Sequence, residues 1–169
     1  MGIGSNLGDS RSLCLEAVRR LSKVSGFTLR KVSSLYITSP VGYYSQNDFV
    51  NMAVLGEYLG TPKDLLCEIK QIEKEMGRKE GPRWGPRTID IDILLFGNLI
   101  LEDDDLKIPH PELHRRRFAI IPLLEIEKDL LHPLFNKKLK DILLGIDRSQ
   151  KVRFLERIDL SNLKGLESF

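Results

Sequence analysis

Asp90 and Asp92 stand two residues apart inside the apolar alternation Ile89, Ile91 and Ile93. Side chains two apart on a strand point to the same face, so a strand here projects both carboxylates together. Their Cα atoms would lie roughly 6.5 to 7 Å apart, close enough for the pair to hold one divalent ion or bracket two. Two readings compete. The pair is a solvated face of a half-exposed strand, or it is a cation site. Asp is depleted in strands, and the run continues into Leu94, Leu95 and Phe96 as an interior strand would. Unpaired charge there would be costly, which places the carboxylates at an open end of the sheet or against cations.

The surroundings of the pair carry the complementary chemistry. Gly77 to Pro86 combines glycines and prolines with Arg78, Lys79, Arg83 and the single tryptophan, Trp84. This loop is too irregular for a regular element and too charged to be buried empty, the make-up of a binding element that moves; the alternative for Trp84 is a core lid. A second basic stretch holds Lys107, His110, His114, Arg115, Arg116 and Arg117. The two stretches would flank a polyanion, although three consecutive arginines alone read as a solvated face. Between Phe49 and Tyr58 the alternation puts Phe49, Asn51 and Ala53 on one strand face and Val50, Met52 and Val54 on the other. An aromatic beside an amide suits a flat heterocycle that stacks and exchanges hydrogen bonds; the alternative is a strand edge with a locally satisfied Asn.

The elements that must position these residues follow in order. Met1 to Asn6 predicts a short strand, and Gly4-Ser5-Asn6-Leu7-Gly8-Asp9 a turn with Asp9 as N-cap. Cys14, Ala17, Val18, Leu21 and Val24 recur at helical spacing up to Gly26. One strand is expected from Phe27 to Ile37. Thr61, Pro62 and Asp64 form a strong helix start, with Leu65, Ile69, Ile72 and Met76 as the buried stripe and Glu73 off it. Leu99 to Leu101 predicts a short return strand, Glu102 to Asp105 a solvated acidic turn, Glu112 to Leu124 one or two short helices, and Lys138 to Leu144 another.

With 41% hydrophobic and 30% charged residues in 169, one soluble domain with one core is expected, spanning 1–169 with its core at about 1–146 and a surface segment of uncertain order at 147–169. No apolar run reaches the roughly 18 to 20 residues of a membrane span, and the start lacks a secretory pattern, so a cytoplasmic protein with no membrane role is expected. A net charge of +2 argues against a general nucleic-acid-coating surface. Cys14 and Cys67 are expected as buried thiols. His114 and His132 receive no role.

Gly4-Ser5-Asn6-Leu7-Gly8, Thr38-Ser39-Pro40-Val41-Gly42, Phe49-Val50-Asn51, Arg83-Trp84-Gly85-Pro86-Arg87-Thr88-Ile89-Asp90-Ile91-Asp92 and Ile108-Pro109-His110 occur in the order of one family. Over residues 1 to 146 the chain resembles 6-hydroxymethyl-7,8-dihydropterin pyrophosphokinase, an enzyme of folate biosynthesis. The resemblance implies an α+β, ferredoxin-like α/β sandwich with a mainly antiparallel central sheet and helices on both faces. It implies transfer of pyrophosphate from ATP to the hydroxymethyl oxygen of the dihydropterin, releasing AMP. Asp90 and Asp92 would hold two Mg²⁺ ions. Thr38, Val41, Gly42, Phe49, Asn51, Asp90 and Phe118 would form the pterin site, with Phe49 and Phe118 sandwiching the rings. Glu73, Lys79, Trp84, Arg87, Ile93, Lys107, His110 and Arg116 would take ATP. Arg78, Arg83, Trp84, Arg87, Asp90 and Asp92 would form the catalytic set. The substrates would be these two small molecules, with no nucleic acid, and the protein a monomer.

The chain departs from the pattern in three places. The loop before Trp84 is one residue shorter than in some members, which leaves Lys79 as the counterpart of a second phosphate-binding residue. Pro111 follows His110 where an aromatic can occur. Only Met1 to Ile3 precede the Gly-Ser-Asn turn, so a shortened first strand or a start further upstream is implied, and a version with an apolar extension is expected to be more stable. Two other functions use similar residues. A nucleotidyltransferase would place its Gly-Ser just upstream of the carboxylates, whereas Gly4-Ser5 and Asp90 are far apart in sequence. An RNA-binding module would use the basic stretches with Trp84 and Phe118, but Asp90 and Asp92 would repel a phosphate backbone unless metals intervened.

Overall fold

The computed structural model of the protein describes residues 1–42, 44–81 and 85–164. Asp9 caps the first helix as its sequence requires, accepting a hydrogen bond from the Ser12 N–H at 3.1 Å. The chain begins with β1 (Gly2–Ser5), α1 (Ser10–Ser22), β2 (Phe27–Val32), β3 (Leu35–Thr38), β4 (Phe49–Tyr58) and α2 (Pro62–Glu75). Thr61, Pro62 and Asp64 start α2 with a complete capping box. Next come β5 (Asp90–Asp92), β6 (Leu101–Glu102) and β7 (Lys107–Ile108), then a 3-10 turn at Leu113–Arg115 and α3 (Arg117–Ile126). The described residues end with β8 (Leu131–His132), β9 (Lys137–Lys138), α4 (Leu139–Leu144), β10 (Val152–Glu156) and α5 (Leu160–Lys164).

The main sheet has the order β10-β3-β4-β1-β5, with β2 also on β4, and every pairing is antiparallel. Taking β2 and β3 as one bent strand, β1-α1-β2/β3 and β4-α2-β5 are two split β-α-β units whose strands interleave. That is the ferredoxin-like arrangement. Strand alternation then sorts the core onto two faces. Ile3, Met52, Val54 and Ile91 meet Cys14, Val18 and Leu21 of α1 and Leu65 and Ile69 of α2. On the opposite face Ala53 and Leu94 meet Ile120 and Leu123 of α3 and Leu139 of α4. Burial raises the Cys14 thiol to about 12.

Several expectations are corrected. The strand expected over Phe27 to Ile37 is broken at Ser33-Ser34. There the Ser33 hydroxyl accepts from the Ala53 N–H at 2.8 Å, and Ser34 donates through its N–H and hydroxyl to Glu125 of α3 at 2.9 and 2.8 Å. Side-chain groups have replaced part of the ladder, as serines do where backbone pairing is interrupted. The strand at the carboxylate pair stops at Asp92, because the chain turns off and the Leu94 carbonyl accepts from the His110 N–H at 2.9 Å instead of a strand partner. The return strand lies at Leu101–Glu102, paired with Lys107–Ile108. Cys67 is exposed rather than buried, because it lies outside the buried stripe of α2. Glu73, expected off that stripe, is buried and 6% exposed. The segment after residue 146 is not merely a surface tail: β10 extends the sheet beside β3, and Leu163 is buried in the first core.

The Met1 ammonium donates to the Val54 carbonyl at 2.8 Å, and the Val54 N–H donates back to the Met1 carbonyl at 2.9 Å. Burial lowers that ammonium to about 5. Among the described residues no helix is long and apolar enough to cross a membrane.

Candidate active site

The registers place the site on one face of three adjacent strands. Gly2 pairs with Asp92 on one side and Ala53 on the other, and Gly4 likewise pairs with Asp90 and Asn51. Directly paired residues project to the same side of a sheet, so Asp90, Asp92, Asn51 and Ala53 share a face on which β1 contributes no side chain. Gly4 is required there. A Cβ on it would meet the Asn51 Nδ2 at 2.5 Å, and one on Gly2 would meet the Leu94 Cδ1 at 3.1 Å.

Above this face lies a cavity of about 920 Å³, large enough for more than one small ligand. Its lining includes Thr38, Val41, Phe49, Asn51 and Phe118 together with Glu73, Arg78, Arg87, Ile93, Lys107, His110 and Arg116, with Asp90 and Asp92 also in its wall. Of the residues singled out from sequence, Gly42 is exposed and outside this lining. Its φ of +88° lies in the left-handed region that favours glycine. Lys79 lines a neighbouring cavity of about 450 Å³ that shares Glu73, Arg78 and Arg87 with the first. Arg83 and Trp84 lie outside the described residues. His132 is buried away from the cavity, stacked on Phe135 at 4.2 Å, with His114 edge-on to the same ring at 5.0 Å.

The carboxylates sit among cations. Arg78 donates to Asp90 at 2.8 Å and pairs with Glu73 at 2.5 Å, and Arg87 approaches Asp90 at 3.4 Å. Arg116 and His110 each lie 3.9 Å from the Asp92 carboxylate. Burial raises Asp92 to about 7, reinforced by the Asp90 charge and opposed by Arg116. Burial, helped by Arg116, lowers His110 to about 4, so the ring is neutral. His110 Nδ1 accepts from the Glu112 N–H at 3.1 Å, which leaves the proton on Nε2, the nitrogen facing Asp92.

Thr38 donates to the Asn51 Oδ1 at 2.5 Å, which fixes the amide and turns its NH₂ toward Gly4. Arg116 lies over the Phe118 ring at 5.5 Å, joining the aromatic wall to the carboxylates. Glu125 anchors α3, which carries Phe118, to the sheet through Ser34 and the Tyr36 hydroxyl at 2.8 Å.

An ion between the carboxylates fits this donor set. Two carboxylates on one strand face, whose mutual repulsion a cation would relieve, suit a hard divalent ion with oxygen ligands. Among the described residues no cluster of three or more His, Cys, Asp or Glu is poised for a metal, so water and phosphate would complete the shell.

Asn6 is the residue that sequence reasoning quoted without giving it work. It is buried, its Oδ1 accepts from the Arg87 N–H at 2.8 Å, and its Nδ2 donates to Gln46 at 2.8 Å and to the Asn47 carbonyl at 3.1 Å. It ties the Arg87 segment to the loop before Phe49. The only signal was an Asn in a small-residue turn, which does not reveal a partner 81 residues away.

A family model described as 7,8-dihydro-6-hydroxymethylpterin-pyrophosphokinase matches residues 1–128. The chain is 42% identical over 141 residues to the 2-amino-4-hydroxy-6-hydroxymethyldihydropteridine pyrophosphokinase of Aquifex aeolicus, covering 83% of this chain and 87% of that one. It is 45% identical over 126 residues to the protein of the same name from Bacillus subtilis, covering 75% of each. For the Haemophilus influenzae protein of that name the figure is 41% over 133 residues, covering 79% of this chain and 83% of the other. With its carboxylate pair, its aromatic and amide wall and this degree of likeness, the chain belongs to the 7,8-dihydro-6-hydroxymethylpterin-pyrophosphokinase family.

Proposed function

We infer that the protein transfers the terminal pyrophosphoryl group of ATP to the hydroxymethyl oxygen of 6-hydroxymethyl-7,8-dihydropterin, giving AMP and the dihydropterin pyrophosphate in folate biosynthesis. The observation that carries the residue assignments is the convergence of Asp90 and Asp92 with Arg78, Arg87 and Arg116 in the wall of one cavity that Phe49, Asn51 and Phe118 also line.

We propose that Phe49 and Phe118 sandwich the pterin while Asn51, held by Thr38, reads its polar edge. Thr38 and Val41 close the rim, with Gly42 shaping the loop outside it. Asp90 and Asp92 would hold two Mg²⁺ ions, which when bound would supply neutralisation of the triphosphate charge. The pterin hydroxyl oxygen forms a bond to the β-phosphorus as that atom's bond to the oxygen bridging to the α-phosphorus breaks. The electron pair leaves on AMP, and the hydroxyl proton goes to solvent.

Arg116 and His110, beside Asp92, stabilise charge at one end of the triphosphate, the His as a neutral Nε2–H donor. Arg78 and Arg87, both on Asp90, line the same cavity and would bind phosphate oxygens there. Lys79, Lys107, Ile93, Arg83 and Trp84 complete the nucleotide side. Glu73 acts by fixing Arg78 and β5 rather than by touching ATP. Catalysis is then positioning and electrostatics, with no covalent intermediate. We further propose that one domain suffices, working as a cytoplasmic monomer on small molecules.

Manganese counting tests the metal assignment. With an ATP analogue carrying a methylene between the α- and β-phosphorus, electron paramagnetic resonance should find a pair of bound Mn²⁺ ions, and Asp92→Asn should lose at least one. Full occupancy in Asp92→Asn would refute the assignment.

A further inference from the structure

Gln150 lies beyond the family-matched residues, yet its side chain enters the wall of the large cavity. Arg116, the N-cap of α3, makes no side-chain cap hydrogen bond. Gln150 supplies one instead. Its Oε1 accepts from the Arg117 N–H at 3.1 Å, its Nε2 donates to the Arg115 carbonyl at 2.9 Å, and its own carbonyl accepts from the Arg117 Nε at 3.2 Å. Both sides of the bend at Arg116 are thereby held by one residue, which fixes the backbone between Arg116 and Phe118, both in the cavity lining.

The next residue reaches the opposite wall. The Lys151 N–H donates to the Ser39 hydroxyl at 3.1 Å, and the Ser39 N–H donates to the Lys151 carbonyl at 3.1 Å. Val152 then pairs with Thr38. Two consecutive residues of the C-terminal segment thus bridge the Thr38–Val41 wall and the Phe118 wall of the cavity. The carboxylate strand β5 is at the far edge of the sheet, and this bridge reaches it only through Arg116, beside Asp92.

We propose that Gln150 is a positioning residue for the pterin: with Lys151 it sets the separation between the Ser39 loop and Phe118, and so the affinity for the flat ring. This rests on the pterin assignment of Phe49, Asn51 and Phe118. Its loss acts first on the width of the ring slot, and reaches the carboxylates only through Arg116, which the same bend holds 3.9 Å from Asp92, so the larger consequence falls on pterin binding.

Steady-state kinetics on Gln150→Ala, Ser39→Ala and Phe118→Ala, with both substrates varied, test it. Gln150→Ala should raise the KM for 6-hydroxymethyl-7,8-dihydropterin by about tenfold, with a smaller rise of at most about threefold in KM for Mg·ATP, through Arg116, and kcat within about threefold of the wild type. Ser39→Ala, which removes only the hydroxyl acceptor of Lys151, should raise the pterin KM by about threefold and decides the matter if Gln150→Ala does not fold. Phe118→Ala should raise the pterin KM by at least about tenfold. An unchanged pterin KM in Gln150→Ala and Ser39→Ala beside a weakened Phe118→Ala would overturn the positioning role alone. An equal rise in both KM values for Gln150→Ala would do the same. An unchanged pterin KM in Phe118→Ala would overturn the pocket assignment beneath it.

Discussion

The Glu73 carboxylate on α2 accepts a hydrogen bond from the backbone N–H of Ile91 at 2.8 Å. Strand β5 is the edge of the sheet, so that N–H has no strand partner, and a buried helix carboxylate takes its place. The same carboxylate pairs with Arg78, which in turn holds Asp90. Burial raises Glu73 against the lowering effect of its Ile91 and Arg78 partners.

Removing Glu73 should therefore cost more than removing its charge. Glu73→Ala leaves the Ile91 N–H unpaired and Arg78 without one partner, an expected loss of about 2 to 4 kcal/mol, while Glu73→Gln keeps an acceptor and should lose about 1 kcal/mol. Urea midpoints at constant slope measure both. Equal losses would show that the carboxylate is not bridging strand and arginine.

Two glycines distinguish site from core. Gly4→Ala drives a methyl into the Asn51 amide, where Cβ and Nδ2 would be 2.5 Å apart, and breaks the Thr38 contact that orients it. The pterin KM should rise by about tenfold, with about 1 to 2 kcal/mol of stability lost. Gly56→Ala instead meets the Phe27 ring, which closes the far end of the sheet. It should cost about 2 to 3 kcal/mol with substrate KM values unchanged. A wild-type pterin KM in Gly4→Ala would count against Asn51 as a pterin contact.

Glu16 provides a pH signature for the helix layer. Hydrogen bonds from Arg19 at 2.7 and 2.6 Å, with a further one from Arg20, lower its carboxyl from the usual 4.5 to about 2, and Arg20 also reaches Glu75 of α2. The folded value is the depressed one, so the contribution is fully present above about pH 4.5 and is lost as pH falls through about 2. Half-exposed pairs of this kind are screened, and Glu16→Gln should cost about 1 kcal/mol at pH 7. Denaturant unfolding of wild type and variant should give a difference that narrows below about pH 4.5. A difference independent of pH would mean that packing, not charge, is what Glu16 supplies.

Much of this was legible because it is local. Alternation at Asp90 and Asp92 fixed their common face, and Thr61, Pro62 and Asp64 announced α2 by capping chemistry confined to four residues. What was not legible depended on partners distant in sequence. Glu73 reads as a surface charge until an unpaired edge strand needs it. Ser33 and Ser34 break a strand-like run only because the Ala53 N–H donates to the one and Glu125 accepts from the other. Asn6 and Gln150 have no local pattern at all, since each does its work across more than 30 residues of chain. Val152 to Glu156 carries too little alternation to be read as a strand without β3 beside it.

The most direct test of the account is AMP formation from ATP and 6-hydroxymethyl-7,8-dihydropterin in Mg²⁺, comparing the wild type with Asp90→Asn/Asp92→Asn. Pterin-dependent AMP from the wild type, reduced at least about a thousandfold in a double variant that remains folded, is the predicted result. Comparable AMP from the double variant would contradict the claim that the carboxylate pair on β5 is the centre of the chemistry.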